Sequence, residues 1–285
     1  MNLWVEQLSL KLWKNRKKTN NLTFSIQNII QHLNAKTSGS FSDFIVENVS
    51  IDSRSLQNSS GTLFFALKGS NHDGHDYIEA LIFKGVQNFV VEFIPNNLEG
   101  KANFIIVEDT KNALQETAKY YRNLFEFPVV GITGSNGKTI VKEWLNFLLS
   151  PDFSVVRSPK SYNSQVGVPL SIFGINEHHN FGIFEAGISQ KGEMEILEEI
   201  IQPSIGVFTY LGSAHDEGFS SPTEKLLEKV TLFKNCKVVV LEQNDEIENH
   251  ISCEKITWSF TNKNAIIFVE KIENNQLKIN YKKDS

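Results

Sequence analysis

From Leu22 onward, short apolar runs alternate with stretches whose apolar residues recur at helical spacing. Leu63–Leu67, Phe89–Ile94 and Phe104–Val107 read as strands. Between them, Ile78, Leu81 and Ile82 predict a helix opened by Asp76 and stopped by Gly85, and Leu114, Ala118 and Tyr121 predict another, capped near Asp109 or Thr110 and running to Arg122. After Phe127-Pro128 the unbroken run Val129 to Thr133 reads as a strand buried on both faces, with a helix close behind it that carries Val141, Trp144, Leu145 and Leu148 along one stripe. Phe181–Phe184, Ile205–Thr209 and Lys237–Leu241 continue the alternation, which predicts an α/β fold built on a parallel sheet. Ile256–Phe260, Ala265–Val269 and Leu277–Tyr281 have no helices between them and predict a small antiparallel end. The pattern divides the chain into a basic N-terminal extension, residues 1–21, an α/β domain, residues 22–124, and a second α/β domain, residues 125–285.

Composition narrows the class of protein. The 285 residues carry 28 Lys+Arg against 33 Asp+Glu, a formal net charge of −5, so no global basic field argues for nucleic acid. No apolar run is long enough for a membrane span and no signal pattern opens the chain, so stable membrane insertion is not expected and the cytoplasm is the default compartment. Cys236 and Cys253 form neither a CxxC pair nor a cluster with histidines and are read as incidental thiols. Lys11, Lys14, Arg16, Lys17 and Lys18 stand beside Trp4, Leu8, Leu12 and Trp13. They could form an amphipathic arm for anionic lipid or RNA; a solvated terminal helix or frayed extension is the reading preferred.

The segment Gly131-Ile-Thr-Gly134-Ser135-Asn136-Gly137-Lys138-Thr139 joins the buried strand directly to the helix. Glycines let successive N–H groups point inward, and the helix adds its positive N-terminal end, which together make an anion cradle. Lys138 would reach the terminal phosphates of ATP and the Thr139 hydroxyl would ligate Mg2+. The strict spacing GxxxxGK[ST] wants glycine where Ile132 stands, so the loop is a variant.

Three further residues follow later strands. Glu185 ends the run Phe181-Gly-Ile-Phe184, and a carboxylate abutting buried strand positions is costly unless a cation or hydrogen bonds compensate it. It is read either as a metal ligand or as a strand-end surface acid. His215 lies in Tyr210-Leu-Gly-Ser-Ala-His215-Asp-Glu-Gly-Phe219, after the next strand, and taken alone is more often a solvated loop residue. Ser221-Pro222-Thr223-Glu224 is a capping box with proline at the first helical position, which fixes a stripe of Leu226, Lys229, Val230 and Phe233. Lys229 in that stripe is either a snorkelling side chain or a partly desolvated amine of lowered pKa.

Taken together, the phosphate loop, Tyr162-Asn163-Ser-Gln-Val-Gly167-Val-Pro169, Glu185-Ala-Gly187 and Gly212 through Lys229 resemble the Mur ligases, the ATP-dependent amide-forming enzymes of peptidoglycan synthesis. Asp52-Ser53-Arg54, Gly61, Phe64, Ala66, Gly69 and Asp73-Gly74-His75 look like the domain of that family that holds the UDP-sugar. The His-x-Glu-Gly-Phe pattern, with a lysine fourteen residues after the histidine, is most similar to the member that joins D-alanyl-D-alanine to UDP-N-acetylmuramoyl-tripeptide. The resemblance implies transfer of the ATP γ-phosphate to a carboxylate and attack of an amine on the acyl phosphate. It further implies two Mg2+ ions, the first held by Thr139 and Glu185 and the second by His215 and a carbamylated Lys229. Asn163 would lie near the phosphates, and Ser53, Arg54 and His75 in the UDP-sugar domain.

Ile140 stands where many members carry a second threonine after Gly-Lys. The family's Gly-x-His-Asn segment near the adenine and its third domain, which binds the incoming amino compound, are not found in these residues, so the chain is expected to be the first two domains of a longer enzyme, to which a racemase can be fused. Two alternatives are a ligase adding the third peptide residue, or a folylpolyglutamate synthase, and a non-catalytic nucleotide-binding module. The loop after His215 argues against the first pair, and a carbamate-forming lysine would argue against the last.

Overall fold

The computed structural model describes residues 24–272 and 276–282, apart from 43, 55, 57, 58 and 213–217. The basic arm and His215 lie outside the described residues. The chain forms two units, residues 1–126 with 172–175, and residues 127–171 with 176–285.

The first unit contains α1 (Ile26–Leu33), β1 (Lys36–Ser38), β2 (Asn48–Ser50), β3 (Thr62–Phe65), α2 (Ile78–Phe83), β4 (Asn88–Val91), β5 (Asn103–Ile106) and α3 (Thr110–Arg122). Its sheet runs β1-β5-β4-β3-β2, parallel except for β1. The register sets Phe64, Phe89 and Phe104 side by side across β3, β4 and β5, with ring centroids 6.1 and 5.8 Å apart. Ile78 and Leu81 of α2 seal that aromatic row. Asp109 caps α3 by accepting from the Asn112 N–H at 2.7 Å, as its sequence predicts. The start of α2 differs from expectation. Asp73, rather than Asp76, opens the segment, accepting from the His75 N–H to cap a 3-10 turn over Gly74–Tyr77 that leads into α2. The preceding turn supplies the cap because a side-chain acceptor must lie just before the first helical N–H, and Asp76 is already inside the turn.

The second unit contains β6 (Val129–Thr133), α4 (Lys138–Leu149), β7 (Val155–Arg157), α5 (Gly167–Ile172), β8 (Phe181–Glu185), α6 (Glu193–Ile201), β9 (Ile205–Phe208), α7 (Pro222–Val230), β10 (Val238–Glu242), α8 (Asp245–Glu248), β11 (Glu254–Ser259), β12 (Ile267–Lys271) and β13 (Leu277–Tyr281). The sheet order is β13-β12-β11-β10-β9-β6-β8-β7. β6 therefore lies between β8, reached first, and β9, reached on the other side, and a crevice opens at its carboxyl end where the strand order reverses. All five positions of β6 and of β8 are buried.

Two expectations are corrected here. On α4, Val141, Leu145 and Leu149 pack on the sheet, but Trp144 and Leu148 are 68% and 64% exposed. The helix is rotated because Lys142, fully buried, takes a place on the inward face. The expected antiparallel end is confined to β12 and β13. β11 continues the parallel sheet beside β10, and β12 meets β11 in parallel at Trp258↔Ile267 and Ser259↔Phe268. Side-chain alternation assigns residues to faces of a sheet but carries no strand direction, and α8 returns the chain so that β11 runs with β10. β13 is the outer strand, with Leu277, Ile279 and Tyr281 exposed. Among the described residues no helix is long and apolar enough to cross a membrane.

Candidate active site at the carboxyl end of β6

The variant spacing of the phosphate loop follows from where β6 ends. Ile132 is an interior strand residue, paired with Glu185 on β8 and Val207 on β9, and its side chain is fully buried. The backbone turns only at Gly134 and Gly137, whose φ values of +144° and +84° favour glycine. A Cβ at Gly134 would also overlap Thr209 Oγ1 and meet the Tyr210 backbone at 3.0 Å. The loop is fastened to the end of β9: the Ser135 N–H donates to Tyr210 O at 2.7 Å, the Thr209 hydroxyl to Asn136 O at 2.6 Å, and the Ser135 hydroxyl to Gly212 O at 2.9 Å. Lys138, the first residue of α4, folds back to donate to Gly134 O at 2.8 Å and Ser135 O at 3.4 Å. Burial holds its ammonium below the usual lysine range, an effect partly offset by the Glu185 carboxylate.

Glu185 ends β8 with no exposed surface. Its Oε2 accepts from the Thr139 hydroxyl at 3.0 Å and from Asn163 Nδ2 at 3.5 Å, and Ser161 Oγ lies 3.1 Å from the same Thr139 oxygen. Its Oε1 faces the Lys142 ammonium at 2.9 Å. The compensating cation that a carboxylate in this position requires is thus a buried lysine of α4. Beside the loop opens a cavity of about 320 Å³ lined by Lys138, Asn163, Gln165, Gly187, Glu193 and Lys229.

Ser221 caps α7 by accepting from the Glu224 N–H, with Pro222 at the start of the helix. The resulting phase buries Leu226, Lys229, Val230 and Phe233 together. Lys229 is only 2% exposed, so its side chain does not snorkel, and its ammonium donates to Gly134 O at 3.3 Å. Two lysines from different helices therefore converge on one carbonyl of the phosphate loop. Burial, together with the charges of Lys138 and Lys225, pulls the Lys229 ammonium down to about 8. Lys225, one turn earlier on α7, is also buried and donates to Gly212 O at 2.6 Å.

The candidates in the first unit are arranged differently. Arg54 is 87% exposed at its side chain and forms a two-pronged pair with Asp52, at 2.9 and 3.0 Å. Ser53 accepts from Lys84 Nζ through its carbonyl at 3.1 Å. His75 is buried with both ring nitrogens engaged, Nδ1 with Asp73 Oδ1 at 2.6 Å and Nε2 accepting from the Glu92 N–H at 3.0 Å, and its ring stacks on Phe93. A ring so committed acts inside the unit, fixing the turn before α2 against the end of β4, and has no nitrogen left for a ligand.

The Mur ligase middle-domain family matches residues 132–284, more than half of the chain, and the Mur ligase catalytic-domain family matches residues 45–122. The chain belongs to the Mur ligase family. The UDP-N-acetylmuramoyl-tripeptide–D-alanyl-D-alanine ligase of Bacillus subtilis is 31% identical over 219 residues, covering 75% of this chain and 47% of that protein. Its namesake in Treponema pallidum is 36% identical over 178 residues, covering 59% and 38%. In fold, this Mur ligase chain is similar to MurF of Acinetobacter baumannii, with TM-score 0.79 and 24% identity over 88% of this chain and 56% of that one. It is similar also to MurF of Thermotoga maritima in complex with ADP, with TM-score 0.71 and 24% identity over 82% and 57%. The chain spans about half the length of the relatives it matches.

The Mur ligase chain also brings to the site two residues that its sequence does not single out. Lys142 and Lys225 each stand one helical turn from a recognised lysine, Lys142 after Lys138 and Lys225 before Lys229, and each is buried. Their signal is that i, i+4 spacing, which puts both lysines of each pair on one helix face.

Proposed function

We propose that this chain carries the precursor-binding and ATP-binding parts of a Mur ligase that joins D-alanyl-D-alanine to UDP-N-acetylmuramoyl-tripeptide in peptidoglycan synthesis. The observation that carries the reading is the convergence of Lys138, Lys229 and the Thr139–Glu185 pair at the carboxyl end of β6. The names of the curated relatives support the choice of substrates. Residues 22–124 would hold the UDP-sugar, with Ser53 and Arg54 at an exposed edge and His75 shaping the turn behind them, and residues 125–285 would hold ATP. The cytoplasm, where ATP is at hand, is the compartment proposed.

The chemistry brings two anions together, a carboxylate and the γ-phosphate of ATP. The N–H groups of residues 136–139 and the N-terminal end of α4 would cradle the β-phosphate, while the Ser135 N–H stays with Tyr210 O. The Lys138 ammonium would exchange its bonds to Gly134 and Ser135 for phosphate oxygens, stabilising charge as the phosphoryl group moves. The carboxylate oxygen forms a bond to phosphorus as the bond to the bridging oxygen of ADP breaks. The amine of D-alanyl-D-alanine then attacks the acyl phosphate, loses a proton and expels inorganic phosphate. Asn163 and Gln165 line the cavity where the carboxylate would lie.

The residues present fit a magnesium ion. Thr139 Oγ1 and Glu185 Oε2 are hard oxygen donors 3.0 Å apart, close to the separation of neighbouring ligands in an octahedron with metal–oxygen bonds of about 2.1 Å. Magnesium bound there would screen the repulsion between the reacting anions. The lowered pKa of Lys229 raises the fraction of neutral amine open to addition of carbon dioxide, the nitrogen bonding to carbon as a proton leaves; the resulting carbamate, with His215, would hold a second ion.

Calorimetric titration with UDP-N-acetylmuramoyl-tripeptide and with the dipeptide form, each with and without Mg-ATP, tests the reading. Preference for the tripeptide form is expected. Equal binding of both forms, or binding of neither while ATP still binds, would overturn the substrate assignment for this chain. Incubation with 13C-bicarbonate should give a carbamate signal in wild-type protein that is absent from Lys229→Met.

A further inference from the structure

We propose that Lys142 is a positioning residue for Glu185, holding one carboxylate oxygen so that the other faces the metal. The inference rests on the reading of Thr139 and Glu185 as magnesium ligands. Lys142 has no solvent exposure, and its ammonium lies among four oxygens. Ser158 O accepts at 2.8 Å, Glu185 Oε1 lies at 2.9 Å, Glu143 Oε1 at 3.2 Å, and Lys160 O is the fourth. The two oxygens of Glu185 are thereby given different work. Oε1 receives no well-aligned hydrogen bond and is compensated by the ammonium charge alone, while Oε2 points to Thr139 and Asn163.

The same ammonium ties down the segment that follows β7. Ser158 and Lys160 give it their carbonyls, Ser158 also accepts from the Glu185 N–H through its hydroxyl at 3.2 Å, and Ser161 and Asn163 of that segment reach Thr139 and Glu185. Lys142 sits one turn after Lys138, so α4 presents phosphate-directed and carboxylate-directed ammonium groups from one face. Groups that orient a metal ligand from behind commonly set affinity without touching the ion.

The test is calorimetry of ADP binding to the full chain with and without Mg2+, on wild type, Lys142→Met and Glu185→Gln. Lys142→Met is expected to leave metal-free ADP affinity within about twofold and to weaken Mg2+ binding to the ADP complex by about 10- to 100-fold. A merely structural role would weaken ADP binding equally with and without Mg2+, and that result overturns the proposal. So does an unchanged Mg2+ dependence in Lys142→Met when Glu185→Gln abolishes it, an outcome that leaves the metal site standing. An unchanged Mg2+ dependence in Glu185→Gln instead removes the metal site and the proposal with it. If Lys142→Met does not fold, Lys142→Arg, which keeps charge but not shape, is expected to show the same selective loss. The double variant Lys142→Met/Glu185→Gln should melt above Lys142→Met, because the unpaired buried carboxylate is gone; a double variant that melts at or below the single one overturns the proposal.

Discussion

Replacing Lys229 with methionine should make the protein more stable, and the gain should depend on pH. The side chain is buried, and its ammonium is pulled down to about 8 by burial and by Lys138 and Lys225. An unfolded lysine titrates near 10.4, so the folded state binds its proton less tightly by roughly 2.4 units, or about 3 kcal/mol. Because the folded-state value is the lower one, the penalty is full at pH 7, where both states are protonated. It falls as pH rises through 8 toward 10.4, where the unfolded chain holds more protons than the folded one. Methionine keeps the length of the stem, removes the charge, and gives up one long bond to Gly134 O at 3.3 Å. Relative to wild type, Lys229→Met should therefore be stabilised by about 3 kcal/mol at pH 7, about 2 at pH 9 and under about 1 at pH 10. Urea unfolding in bicarbonate-free buffer measures this, followed by tryptophan fluorescence, with Trp144 and Trp258 reporting on the second unit. A gain that is constant with pH, or a variant less stable than wild type at pH 7, would show that the ammonium is not desolvated in the folded chain.

Gly134→Ala should raise the Kd for ADP by at least about tenfold and cost roughly 1–3 kcal/mol in urea unfolding, since φ is +144° and Thr209 fills the space a Cβ needs. Unchanged ADP binding would mean that the loop accommodates a side chain there. His75→Ala should cost roughly 3 kcal/mol, because Asp73 and the Glu92 N–H lose their buried partner and a gap opens beside Phe93; normal stability with weakened binding of the UDP-sugar would restore His75 as a direct ligand. Asp109→Ala should cost about 1 kcal/mol through loss of the α3 cap, again by urea unfolding.

Residues whose role is set by their neighbours in the chain were legible in the sequence. The phosphate loop is one: a buried strand, two turning glycines, a lysine and a helix are contiguous, so strand 129–133 and the presence of a helix directly behind the loop follow from the pattern, though the helix's buried face does not. Glu185 and Lys229 were legible as misfits, charged groups in apolar patterns, which must be either compensated or functional. Lys142 escaped because it stands in the mixed stripe Ile140-Val-Lys-Glu-Trp144, where helical spacing favours Trp144 as the buried residue. The choice was made by Glu185, a residue 43 positions away at the end of β8, whose buried charge draws the ammonium inward and turns the indole out. Strand direction escaped for a similar reason: the parallel pairing of β11 and β12 depends on the path of the connection, to which side-chain alternation is blind.

The exposed outer strand β13 has a consequence for how this protein behaves in concentrated solution. Among the described residues β13 is the outermost strand of its sheet, the position at which a second extended chain would add, and Leu277, Ile279 and Tyr281 lend that meeting apolar surface. Lys278 and Lys282 alternate with them; Lys278 lies 3.7 Å from Glu270 Oε2, and exposed Lys282 acts as the gatekeeper, since edge-to-edge pairing would bring like charges together. That protection is electrostatic and reaches about 10 Å at 0.1 M salt but only about 3 Å at 1 M. Aggregation seeded at β13 should accordingly be slow in dilute buffer and quicken as salt is added.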